Sequence, residues 1–119
     1  MELEINGKIY TFTAGMGFLR EINKTVATKV EGIAQNVGLR VTVANLIDGN
    51  VEALATVLQT ANKGNNPRLT SAELDKYLEN PETDINGLFD QVLDFLSTAN
   101  VTKKTVQMIQ DAVEEKQKA

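Results

Sequence analysis

Apolar and polar positions alternate through the first twelve residues. Leu3 and Ile5 alternate with Glu2 and Glu4, and Tyr10 and Phe12 flank Thr11, with Ile9 the lone apolar exception on the polar face. The dipeptide between the two runs, Asn6-Gly7, suits a type I′ turn, whose two central residues need positive φ. A two-residue turn there pairs Ile5 with Lys8, Leu3 with Tyr10 and Met1 with Phe12. The result is a β-hairpin over about 2–12 with one apolar face. A lone two-stranded hairpin is marginal in water, so helices must cover that face.

Beyond the hairpin the apolar period lengthens to that of helices. Phe18, Leu19 and Ile22 mark a short helix at about 17–24. Residues 25–37 follow neither period: Val26, Val30 and Ile33 fit strand or loop, and Gly32 and Gly38 punctuate the stretch. At 39–47 two readings compete. Leu39 to Val43 has strand propensity, while Leu39, Val43, Leu46 and Ile47 also form one helical stripe, stopped at Asp48-Gly49. Asn50 is an N-cap for a helix at about 51–63, with Val51, Leu54, Val57, Leu58 and Ala61 along one side. Thr70-Ser71-Ala72-Glu73 spells a capping box opening a helix at 71–79, closed by Pro81. Asp84 caps a helix at 85–98, and Asn100 to Thr102 break the chain and cap a last helix at 103–116. In the 85–98 helix, Ile85, Leu88, Phe89, Val92, Leu93, Phe95 and Leu96 fill about 160° of arc, wide enough to predict that this helix is the central element. The expected fold is α+β and mainly α: one domain over 1–119, with an N-terminal β-hairpin packed on a bundle of about four to six helices.

Composition removes most chemistry. The chain has no Cys and no His, hence no disulfide, no thiolate nucleophile and no imidazole base or ligand. Carboxylates alone remain, so no catalytic residue, cofactor or metal site is expected. The net charge is −4. Between Glu73 and Asp94 stand seven acids against one base, Lys76, where a nucleic-acid binder needs a basic stripe. No apolar run approaches the length of a membrane span, and the acidic, alternating N-terminus is not a secretory signal. These features predict an intracellular protein that binds neither nucleic acid nor membrane.

The tempting motifs fail on inspection. Glu82, Asp84 and Asn86 match the first ligand positions of an EF-hand loop around Gly87, but Leu93 stands where the bidentate Glu belongs. Gly15-Met16-Gly17 lacks both the third glycine of a dinucleotide loop and the Lys-Ser/Thr of a phosphate loop. Ser71 and Ser97 have no histidine to activate them. Asp90 and Asp94, one turn apart on one polar face, do not flank a cleft as paired catalytic carboxylates do. Lys103 and Lys104 form a solvated basic pair at a helix start. What is left is apolar surface beyond what one neighbouring helix needs. Phe89, Leu93, Phe95, Met108 and Ile109 are the candidate partner-binding residues, with core membership the competing reading. Met108 suits a surface that accepts varied apolar shapes.

Four stretches carry a family resemblance: INGKIYTFTAGMGFLREINK (5–24), GLRVTVANLIDGNVEALATVLQTA (38–61), LTSAELDKYLEN (69–80) and the segment 84–106. Together they resemble the tail assembly chaperones of long-tailed, siphovirus-type bacteriophages and prophages, especially those of Gram-positive hosts. The resemblance favours helix at 39–47. It implies a non-enzymatic protein that binds the tape measure protein and keeps it soluble until the tail tube polymerises. It also implies self-association, and a longer frameshifted form that engages the major tail tube protein. The setting it implies is the host cytoplasm rather than the mature virion. The alternative is a helical interaction adaptor or regulator unrelated to phage tails.

Overall fold

In the computed structural model the described residues are 1–25, 29–30, 33–34 and 37–118, with side chains described for 1–24 and 37–115. Strands β1 (Glu2–Ile5) and β2 (Lys8–Thr11) form the antiparallel hairpin. Its register is Leu3 to Tyr10 and Ile5 to Lys8. The Phe12 amide and the Met1 carbonyl, 2.8 Å apart, extend it by one pair. Asn6 and Gly7 sit at φ 54° and 79°, the left-handed pair that this turn requires. Helix α1 (Met16–Thr25) follows. Two short strands, β3 (Lys29–Val30) and β4 (Ile33–Ala34), then pair with each other; Val26 and Gly32 lie outside the described residues. The remainder is helical: α2 (Gly38–Ile47), α3 (Val51–Asn62), α4 (Ser71–Glu79), α5 (Ile85–Thr98) and α6 (Lys103–Lys118). The fold is thus mainly helical α+β with an N-terminal hairpin.

Helix ends follow local chemistry. Asn50 Oδ1 accepts from the Ala53 amide at 3.1 Å, and Asp84 Oδ1 accepts from the Gly87 amide at 3.0 Å. Asp84 is therefore a cap, the role that the failed calcium loop left for it. Helix α2 ends in a Schellman motif: Asn50 N–H reaches Asn45 O, Gly49 N–H reaches Leu46 O, and Gly49 is at φ 79°. Two expected caps are built differently. Glu73 N–H does bond Thr70 Oγ1 at 3.2 Å. The Glu73 carboxylate, however, accepts from the hydroxyls of Thr70 (3.0 Å) and Tyr10 (2.7 Å), not from the Thr70 amide. The phenol of Tyr10 sits at the edge of the core and needs an acceptor, so the carboxylate staples the hairpin to α4. Thr102 is fully buried, and its hydroxyl donates back to Leu96 O at 2.6 Å instead of capping α6.

The centre of the bundle also differs from the expectation. Helix α2, not α5, packs against α1, α3, α5 and α6. Its run GLRVTVANLI is apolar over most of its circumference, the pattern of a helix buried on several sides. That is also why strand and helix were hard to separate there. The wide arc of α5 is taken up by α2 and α6 together. Gly38, at the start of α2, lets the helix touch the backbone of Ile22 and Asn23 in α1. The Leu39 amide is capped there by Asn23 Oδ1 at 3.0 Å.

The Glu73 staple has a pH signature. The Tyr10 hydroxyl, then that of Thr70, holds the Glu73 carboxyl below its usual 4.5. A depressed folded-state pKa stabilises above the unfolded value and loses that stabilisation as pH falls. Glu73→Gln keeps an acceptor for Tyr10 but cannot titrate. Melting temperatures of wild type and variant, measured from neutral pH downward, should converge below about pH 4.5. Parallel curves throughout would show that the carboxylate contributes nothing specific.

Candidate functional site

The five candidate residues lie on α5 and α6, which pack against each other. The α5 stripe is centred on Leu88, Val92 and Leu96, all buried. Phe89 belongs with them at 9% exposure, in the core cluster. Leu93 and Phe95 are half-buried against the core. Two residues apart is about 200° of helix turn, so they stand at opposite edges of the buried stripe. No single patch on α5 contains both.

On α6 the reference is Val106, fully buried. Ile109 and Val113, three and seven positions on, share its side and are half-buried. Met108 is about 200° from Val106 and points away from the body of the protein, 47% exposed. Adjacent numbers thus fall on different surfaces. Met108→Gln should leave the melting temperature nearly unchanged, as for other exposed positions. Ile109→Gln should cost about 1–2 kcal/mol, for lost burial of part of a side chain. A thermal melt of the two variants checks this, and equal losses would contradict the assignment.

The solvent face of α6 has a feature that the candidate set missed. Lys104, Met108, Asp111 and Glu115 are all exposed, at spacings of four, three and four. They make up one polar face of the helix, opposite the side packed on α2 and α5. Asp111 also accepts from Gln107 Nε2 at 2.9 Å. Elsewhere among the described residues the exposed large apolar side chains are Ile9, Met16 and Val51, each on a different element and unremarkable singly.

Among the described residues no three His, Cys, Asp or Glu side chains gather to hold a metal. Among the same residues no helix is long and apolar enough to cross a membrane. Clefts lined by described residues lie away from the candidate residues. One of about 420 Å³ lies between α1, α3 and α4, beside the Lys63–Glu21 ion pair. Another of about 310 Å³ separates the hairpin turn from α4.

No curated protein and no solved structure matches the chain. The family model described as phage tail assembly chaperone protein, TAC, matches residues 2–110, from the hairpin into the middle of α6. Such chaperones are non-enzymatic assembly factors that act in the host cell and are not part of the virion. The match spans nearly the whole chain, hairpin and helices together, and the chain belongs to the phage tail assembly chaperone family.

Proposed function

We propose that this chaperone binds the tape measure protein of a long-tailed, siphovirus-type phage or prophage of a Gram-positive host, and that it also self-associates. The site of action is the host cytoplasm, before tail tube polymerisation. Family membership carries this reading, and the surface supports it. Leu93 and Phe95 are left half-open at the two edges of the α5 stripe and Ile109 is half-open on α6, with Met108 47% exposed on its other side. Half-open apolar side chains on packed helices can accept an apolar helix without unfolding the carrier. The acidic α4–α5 surface keeps the loaded complex in solution. The major tail tube protein is a further partner in this reading, met through a longer frameshifted form.

The test is co-purification of the tape measure protein with surface variants. Leu93→Gln and Phe95→Gln should each reduce the amount of tape measure protein recovered in the soluble complex. The melting temperature of the chaperone alone should fall only modestly, by the loss of partial burial. Undiminished recovery with the double variant would place the binding surface elsewhere. A helical adaptor outside phage tails has no observation in its favour.

A further inference from the structure

We propose that the outer edge of β1 is a strand-addition site for an extended segment of a partner protein that carries basic residues at alternate positions. This goes beyond the reading above, which concerns helices on α5 and α6. In an antiparallel pair, opposed residues alternate between pairs that exchange both backbone bonds and pairs that exchange none. Met1 and Phe12 exchange both, at 2.8 and 3.2 Å. The register then makes Leu3–Tyr10 and Ile5–Lys8 bonded pairs as well. The amides and carbonyls of Glu2 and Glu4 therefore point away from β2. None of them has a hydrogen-bond partner among the described residues. The β2 edge is covered at its far end by α3: Thr11 O accepts from Asn62 Nδ2 at 3.1 Å, and the Thr13 amide bonds Ala61 O at 2.8 Å.

Charge complementarity selects the occupant. The Glu2 and Glu4 side chains share the solvent face of the hairpin and are both exposed. Neither has an ion-pair partner among the described residues, where the single pair is Lys63 with Glu21. A strand laid along β1 sits about 4.8 Å away, and its outward side chains lie beside these two carboxylates, within reach of lysine or arginine. The β1 edge of a second copy would set acids against acids. Charged side chains keep an edge strand from pairing indiscriminately; here both carry one sign, so a strand of the opposite sign is admitted. The inward side of the added strand also has room. Helix α4 packs against β1, and a cleft of about 310 Å³ lies between Ile5 and Asn6 on one side and Ala72, Lys76 and Tyr77 on the other. An inward side chain of the added strand can enter it. Main-chain bonds supply the affinity and the alternate side chains the specificity. So short an edge binds weakly, and salt weakens it further.

The test is a titration of the full chain with a terminally blocked peptide of four Lys-Val repeats, followed by NMR with amide hydrogen exchange. At saturation the Glu2 and Glu4 amides should exchange more slowly, while the Ile9 amide on the opposite edge should not change. A peptide of four Glu-Val repeats should not bind. The double variant Glu2→Lys, Glu4→Lys should weaken binding of the Lys-Val peptide roughly tenfold, since it turns two exposed attractions into repulsions. Its thermal melt should show it folded, because both side chains are exposed. The Lys-Val peptide N-methylated at every residue keeps its charges, cannot pair as a strand and should not bind. Equal binding of the methylated peptide, or unchanged exchange at Glu2 and Glu4 under saturating Lys-Val peptide, would reduce the contact to surface charge and overturn the proposal. Absence of any binding by the Lys-Val peptide overturns it too. So does exchange at Glu2 and Glu4 that slows with protein concentration alone, which would make a second copy the occupant. None of these measurements involves the tape measure protein, so each outcome leaves the reading above untouched.

Discussion

Asn62→Leu should cost the protein about 3–5 kcal/mol, the range of a broken buried polar network. Asn62 is fully buried at the end of α3, and both ends of its amide are used twice. Nδ2 donates to Thr11 O at 3.1 Å and to Pro67 O at 3.2 Å. Oδ1 accepts from the Leu69 amide at 2.6 Å and from Arg68 Nη1 at 2.8 Å. One side chain therefore ties β2, α3 and the 63–70 connection together. Leucine is close in volume but leaves Thr11 O, Pro67 O and the Leu69 amide without partners in a dry place. Each such group costs about 1–3 kcal/mol, which outweighs the gain from an added apolar side chain. Urea denaturation should show the midpoint falling with the slope unchanged. A loss below about 1 kcal/mol, the worth of one ordinary hydrogen bond, would mean that water replaces the network.

Gly38→Ala should destabilise by about 2 kcal/mol, although alanine is normally the better helix residue by up to about 1 kcal/mol. A Cβ on Gly38 would run into Ile22 O and come within 2.7 Å of Asn23 Cα. Those are backbone atoms of α1 and cannot swing aside. Relief requires α2 to move off α1, which also breaks the Asn23 cap on Leu39. The steric term wins because the contact is between two backbones and the propensity gain is smallest at a helix start. A fall in melting temperature of about 8 °C is expected for a chain of this size. An unchanged or higher value would show that the α1–α2 contact is loose.

These two residues also mark where the sequence stops being readable. Asn6-Gly7, Asn50 and Asp84 announce themselves because their partners lie within three residues, so identity and spacing suffice. Asn23 and Asn62 look like any other asparagines, since Asn23 caps a helix 16 positions on and Asn62 reaches a strand 51 positions back. Glu73 was half readable. Its cap on α4 is local, but its bond to Tyr10 crosses 63 positions. The width of the α5 stripe was visible and its meaning was not: periodicity measures how much surface a helix buries, not which neighbour covers it. The near-continuous apolar run of α2, the true centre, read instead as ambiguity. Met108 and Ile109 show the same limit on a finer scale. Only the inward direction fixed by Val106 separates a residue on the core side from its exposed neighbour.

Co-expression with the tape measure protein of the same genome probes the proposed chaperone role. The tape measure protein should be insoluble when expressed alone and soluble, in a complex that survives gel filtration, when this chain is present. A tape measure protein that stays insoluble with this chain in excess, with no complex recovered, would contradict it.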